Sequence, residues 1–442
     1  MGISAAYRYR PGAAEDVTTT SEEQPMIGAD EAADVLIDFD WWQQTGQAER
    51  DARFDALRRE NPRAFVPLGG EPARSKGFWA LTRHADILEV SRRPEDFASG
   101  EGTQIFDQPR ALRDYRGSII DMDNPEHSRV RKIVSRGFTN KSLESIRGLV
   151  ESTTHEILDA MPVTGECDFV ANFAALLPLR IISTMLGIPQ EHEADILAAT
   201  NTILGASDAE YIPDQSGAGI AGAVTEASER LIGLLQNLSE ERIADPRDDV
   251  ISMLVAAKEG DNLTPQEMAK FFILLVGAGN ETTRNALTHG VYALSRHPDQ
   301  RDAWLADYRA SAPTAIEEIL RWASPVIHMR RTVTHDGVKL GDQVFSRGEK
   351  VVLWYTSANR DEAVFEDPYV FDISRNPNPH LAFGAPGPHF CLGAHLARLE
   401  LNIAFEALYS RFPDLEAVGE PTLLRSNFVN GIKHLTVRYT HR

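Results

Sequence analysis

The chemistry of this chain gathers around Cys391. The residue lies in PHLAFGAPGPHFCLGAHLAR, residues 379–398, where Gly384, Pro386, Gly387 and Pro388 set a tight turn ahead of a helical pattern. Beyond the cysteine, Leu392, Leu396, Leu399 and Ile403 recur at helical spacing, and Leu401, Phe405 and Leu408 form a second apolar face. A helix apolar on most sides is expected to be buried. Cys391 therefore stands near a buried helix N-terminus, where unpaired amides and the macrodipole favour a thiolate. His389, two residues earlier, offers a cation or a donor. By residue chemistry alone Cys391 is either a small buried apolar side chain or a functional thiolate. A tetrahedral zinc site is disfavoured, because His389 and Cys391 are too close in sequence to serve as two of its ligands.

A second constellation is GAGNETT, Gly277 to Thr283, set in the most apolar turn of a long helical pattern. That helix opens on a capping box, Thr264-Pro265-Gln266-Glu267, and runs to about Arg296. At about 1.5 Å per residue it spans roughly 45 to 50 Å, enough to cross the whole protein. Glycines and hydroxyl or amide residues are poor choices for a buried helix interior. Thr282 can bond back to the carbonyl of Ala278 and loosen the ladder. The alternatives are a mildly kinked packing helix and a functional notch with Glu281 beside it. Leu274, Gly277 and Ala278 precede Thr282 by eight, five and four residues, so they share its face.

The elements that must position these groups read mostly as helices. Residues 31–62 are expected to be helical, with Trp41 and Trp42 docked on the core. Phe78–Thr82 reads as a strand, a short helix follows to about Ser91, and residues 100–120 as a loop over a pocket. A helix with Asn124 as N-cap carries His127 and Arg131 on one face and Arg129, Lys132 and Arg136 on another. Helical patterns continue at 142–160, 168–186 and 219–245, with 187–218 read as a flexible connector. In residues 315–326, Glu318 and Arg321 sit at i and i+3. Residues 328–356 alternate strand-like runs with turns at Asp336-Gly337 and Arg347-Gly348, which predicts a small antiparallel sheet.

Composition sets the bounds. The 442 residues are 42% hydrophobic and 25% charged, so a large core can be buried, and a net charge of −20 argues against a nucleic-acid partner. Two cysteines, Cys167 and Cys391, imply no disulfide framework and suit a reducing cytoplasm. The longest apolar run, Phe271–Gly279, is too short to cross a bilayer. Residues 1–30 read as a polar, mobile tail without signal-peptide character, and 31–442 as one domain without a membrane anchor or fused reductase.

Taken together, the Phe383, Gly387, His389, Cys391 and Gly393 pattern resembles the haem-binding loop of the cytochrome P450 superfamily. Phe383 stands eight residues before the cysteine where most members place it seven before, and Ala385-Pro386 accounts for the extra residue. GAGNETT resembles the oxygen-binding groove of that family, and Glu318-x-x-Arg321 its Glu-x-x-Arg. The resemblance covers roughly residues 60–440, with four motifs in order. It implies a mostly α fold, a long central helix over haem and a small antiparallel β region. It further implies haem b (iron protoporphyrin IX, heme b) on Cys391, with His127, Arg131, Arg331 and His380 at its propionates. Ala278 and Gly279 would leave room for dioxygen, Thr282 would hydrogen-bond it and Glu281 would relay protons. Leu274, Gly277, Ile327 and Phe428 would line the substrate site. Arg375 would join Glu318 and Arg321 in a structural group.

The implied activity is hydroxylation of an unactivated C–H bond, with electrons from a ferredoxin and ferredoxin reductase. Blocks such as SPVIHMRRT, RNPNPHLAFG and NGIKHLTV look closest to actinobacterial members that attack terminal methyls of branched fatty acids, isoprenoids and sterol side chains. A secondary-metabolite monooxygenase, a peroxygenase, a haem sensor and a binding protein with a vestigial loop are the alternatives. The Glu281-Thr282 pair counts against the sensor and the peroxygenase.

Overall fold

The computed structural model describes residues 29–69, 76–107, 118–138, 140–163, 165–256 and 263–440, and most of them are helical. Most of the N-terminal tail and part of the 100–120 loop lie outside the described residues. The central helix, Pro265–Arg296, is the axis of the core. Its capping box forms as the sequence predicts: the Glu267 amide donates to Thr264 Oγ1 at 3.1 Å, and the Thr264 amide to Glu267 Oε2 at 2.8 Å. Thirty-two residues of unbroken helix follow. Thr282 Oγ1 does donate to the Ala278 carbonyl at 2.7 Å, but the ladder does not break there. The notch is made by the missing side chains of Gly277 and Gly279 in a continuous helix.

Helices Asn140–Ala160, Leu176–Leu186, Tyr308–Ala323 and Ala394–Arg411 pack around this axis through one apolar cluster that includes Phe173, Leu287, Ile319 and Phe405. Gly290 lets the central helix cross the one after Cys391 closely, since a Cβ there would stand 2.5 Å from the Phe405 ring. A second cluster joins the central helix to Glu193–Leu204 and Gly217–Ala244, which roof the molecule.

Several sequence expectations change. Residues 31–62 are several short helices, because Asp38 interrupts them: its Oδ1 accepts from the amides of Asp40 and Trp41 and starts a new helix. Trp42 is buried and stacks on Trp354 at 5.9 Å, whereas Trp41 is only half-buried. The segment 168–186 is not one helix. Asp168 ends a strand paired with Thr436–Arg438, Val170–Ala174 is a π turn, and the α-helix begins at Leu176. The 187–218 connector contains the helix Glu193–Leu204, anchored by buried Ile196 and Ala199. Asn124 is not an N-cap. The helix starts at Glu126, and the Asn124 amide oxygen accepts from the Ser128 hydroxyl instead of a free amide.

The expected antiparallel pairing of His328–Val333 with Lys350–Trp354 is present, and Gly337 and Gly348 take positive φ at the turns. The larger sheet is nevertheless mixed, because Gly77–Leu81 joins Lys350–Trp354 in parallel. No helix among the described residues is long and apolar enough to cross a membrane.

Candidate active site

Between the central helix and the Cys391 loop lies a cavity of about 720 Å³. One wall is the exposed face of the notch. Leu274, Gly277, Ala278 and Thr282 line it, as their common helical face requires, and Gly279 and Glu281 line it beside them. Gly277 leaves room but little slack, since a Cβ there would sit 3.6 Å from Leu204. Phe428, Val326 and Met329 close the far side.

The opposite wall is the loop from Leu381 to Gly393. The Cys391 amide donates to the Phe383 carbonyl at 3.0 Å, which folds the loop back on itself. Gly384 takes a φ of +79°, available cheaply only to glycine. Gly387 does not reach the cavity. Its role is close approach, since a Cβ would fall 2.2 Å from the Ser91 carbonyl oxygen. Cys391 faces the cavity while protein encloses it on its other sides. Burial pushes its thiol up, and the Gly393 amide, Arg131 and Arg398 pull against that shift. The helix proper starts three residues later, at Ala394, so the macrodipole acts less directly than the sequence suggests. A thiol of this kind becomes a thiolate when a cation takes the place of its proton.

One end of the cavity is basic. His127, Arg131, Arg331 and His389 line it together. The two imidazoles lie 4.3 Å apart, and His389 Nε2 meets Ser99 Oγ at 3.1 Å. Burial, then the neighbouring Arg331, His127 and Arg131, push His389 down to about 2, so of the two roles the sequence offers, a cation or a donor, the neutral one fits. His127 is lowered by burial and Arg131, and its Nε2 is buried without a partner among the described residues. Such a cluster is built to receive anionic oxygens. A thiol facing a large apolar cavity, with a basic end holding an orphaned imidazole nitrogen, fits a haem with its propionates at that end.

Glu281 is buried. Its Oε1 is held by Arg284 and by Asn285 Nδ2 at 3.1 Å, while Oε2 has no partner among the described residues. Arg284 is itself fixed by Asn201 Oδ1 at 2.9 Å.

Some expected residues lie elsewhere. His380 does not reach the cavity. Its Nε2 meets Glu317 Oε2 at 3.0 Å, its Nδ1 accepts from the Ala382 amide, and Arg398 grips the same carboxylate. Ile327 points into a separate apolar cluster with Trp42 and Trp354, and its neighbours Val326 and Met329 line the cavity instead. Glu318, Arg321 and Arg375 meet behind the loop, away from the cavity. Glu400 was not anticipated. It lines the cavity, is buried, has no partner for Oε2 among the described residues, and burial raises its carboxyl to about 8. A glutamate between Leu396 and Ile403 on an apolar face was the available signal.

A mostly helical frame with a thiol loop facing a notched central helix defines a haem-thiolate oxygenase. The chain belongs to the cytochrome P450 family, whose profile matches residues 59–306 and 312–435. It is 44% identical to the methyl-branched lipid omega-hydroxylase of Mycobacterium tuberculosis (strain CDC 1551 / Oshkosh) over the full length of both chains. It is 38% identical to the steroid C26-monooxygenase of Mycolicibacterium smegmatis, covering 92% of this chain and 95% of that one. Among solved structures, a Mycobacterium marinum cytochrome P450 in complex with pseudoionone superposes with a TM-score of 0.86 at 37% identity, covering 91% and 97% of the two chains. The protein is a cytochrome P450 monooxygenase, and haem b is its cofactor.

Proposed function

We propose that this monooxygenase hydroxylates the terminal methyl of a methyl-branched fatty acid, isoprenoid or sterol side chain, drawing electrons from a ferredoxin and ferredoxin reductase. The observation that carries the reading is the 44% identity, end to end, with a methyl-branched lipid omega-hydroxylase. A cavity walled by Leu274, Gly277, Ile203, Leu204, Met329 and Phe428 suits a slender apolar chain end. The sterol reading is kept because steroid C26-monooxygenases are 38–39% identical over 91–92% of the chain.

Bound haem, ligated by a thiolate, supplies dioxygen activation and insertion of one oxygen atom into a C–H bond. The residues of the chain serve that chemistry in separate ways. Cys391 is the iron ligand. His127, Arg131, Arg331 and His389 hold the propionates, with His127 Nε2 gaining the partner it lacks. Phe383, Gly393, Ala278 and Gly279 bound the porphyrin space. Thr282 Oγ1 donates to the Ala278 carbonyl, so its lone pairs remain free to accept a hydrogen bond from the cavity side. Glu281 lines the cavity and is positioned to relay protons through Oε2, the oxygen that Arg284 and Asn285 leave free. Leu274, Gly277 and Phe428 orient the chain end and exclude water.

The test is a ligand panel read by Soret spin-state shifts, followed by product analysis with a ferredoxin system. Branched fatty acids, isoprenoids and sterols are expected to shift the spectrum and to yield terminal alcohols. A clear shift with a macrolide or cyclic terpene, and none with any branched lipid or sterol, would overturn the reading.

A further inference from the structure

The cations of the cavity fall in two places. Arg131 and Arg331 stand with the two histidines at the basic end, and each donates to a backbone carbonyl: Arg131 Nη2 to Phe390 at 2.6 Å and Arg331 Nη1 to Arg330 at 2.8 Å. Lys270 stands apart from that cluster. It is half-buried on the cavity wall, among Phe271, Ile273 and Leu274, and its ammonium has no hydrogen-bond or ion-pair partner among the described residues. An amine placed in an apolar wall with nothing to neutralise it favours an anionic ligand.

Its position on the helix gives a length. Lys270, Leu274, Ala278 and Thr282 follow one another at i, i+4, i+8 and i+12 of an unbroken helix, so they form one stripe down the same wall. At 1.5 Å per residue the Lys270 backbone lies about 12 Å from that of Ala278 and about 18 Å from that of Thr282. We propose that Lys270 is the specificity residue for the substrate's head group. It pairs with the carboxylate of an open-chain acid whose branched end lies against Ala278 and Thr282, so the helix measures a chain of roughly ten to fourteen carbons. The inference rests on the lipid reading above and deepens it: of the lipids named there, the free acid is selected over its ester and over the neutral sterol.

The experiment titrates holoenzyme with a terminally branched fatty acid of about fourteen carbons, its methyl ester and cholesterol, by Soret shift and by calorimetry. The wild type is expected to bind the acid about tenfold more tightly than the ester, a modest ratio because the lysine is half-solvated. Lys270→Met, which keeps the apolar stem, is expected to bring that ratio near one by weakening the acid alone. Lys270→Arg is expected to retain the preference, and cholesterol binding should be indifferent to both changes. Equal affinity of the wild type for acid and ester overturns the proposal, as does a Lys270→Met variant that weakens acid and ester together. If no lipid binds the wild type, the lipid reading falls, and this proposal with it. If cholesterol binds and the acid shows no preference, only this proposal falls.

Discussion

Two regions flank the Cys391 loop and treat charge in opposite ways. Behind the loop, the Glu318 carboxylate receives Arg321 Nε and Nη2 at 2.7 Å each, the Asp372 amide at 2.9 Å and Asn378 Nδ2 at 3.0 Å. Arg375 Nε lies 3.2 Å away, close enough for ion pairing though off line for a hydrogen bond. Glu318 and Arg321 are wholly buried, and the spare donors of Arg321 satisfy the carbonyls of Asn359 and Pro368. In front of the loop, His127 Nε2, Glu281 Oε2 and Glu400 Oε2 are buried with no partner among the described residues. Leaving such atoms unsatisfied is costly, so a fold that pairs both oxygens of Glu318 on one side and leaves three polar atoms open beside the cavity has kept the cavity side for something else. The closed side holds the loop, and the open side works.

Removing the sulfur that joins the two regions is expected to have the largest effect. Cys391→Ser should abolish the strongly red-shifted Soret band of the reduced carbon monoxide complex and lower hydroxylation by at least about a thousandfold. Retention of that band would mean that another residue ligates the iron. Next in size is the closed side itself. Glu318→Ala leaves Arg321 and Arg375 facing each other without their carboxylate, and should lower unfolding stability by about 3 to 5 kcal/mol. Cutting the exposed Arg309–Glu406 pair should change it by less than about 1 kcal/mol. Urea midpoints of the two variants make the comparison, and equal midpoints would remove the distinction between the regions.

Legibility in the sequence followed the same division between local and distant causes. The capping box, the shared face of Leu274, Gly277, Ala278 and Thr282, and the i, i+4 pair His127 and Arg131 depend on helix geometry alone. All of them lie where the spacing puts them. His380, Gly387 and Ile327 were misplaced because their neighbours come from far along the chain: Glu317 for His380, Ser91 for Gly387, and Trp42 for Ile327. Ile327 precedes the strand His328–Val333, and its side chain joins the Trp42 and Trp354 cluster while Val326 and Met329 on either side of it line the cavity. The strand at Gly77–Leu81 was legible, but its parallel pairing was not, for the same reason, since that partner lies some 270 residues away. Lys270 and Glu400 were visible as charges in apolar stripes but belonged to no motif.

On the open side, Thr282→Ala tests whether the hydroxyl bonded to the Ala278 carbonyl is more than a local staple. The variant should bind branched lipid as the wild type does. It should divert reducing equivalents to peroxide and cut product per NAD(P)H by at least about tenfold. Undiminished coupling would confine Thr282 to helix structure.

The smallest effect concerns Glu400, and its sign separates it from the closed side. Its carboxyl is raised by burial from 4.5 to about 8, so the folded protein holds a proton that the unfolded chain releases. Where the native state binds more protons, stability falls as pH rises. The loss begins near pH 4.5, the ordinary value, and is complete above about pH 8. Glu400→Gln keeps the shape without the titration, so its advantage over wild type in urea midpoint should grow between pH 5 and pH 9. The carboxyl faces a cavity that can admit water, so the gain is expected to be a fraction of what full burial implies, about 1 kcal/mol. A wild-type protein that instead gained stability over that range relative to the variant would show that Glu400 is ionised and partnered, and that it belongs with the closed side.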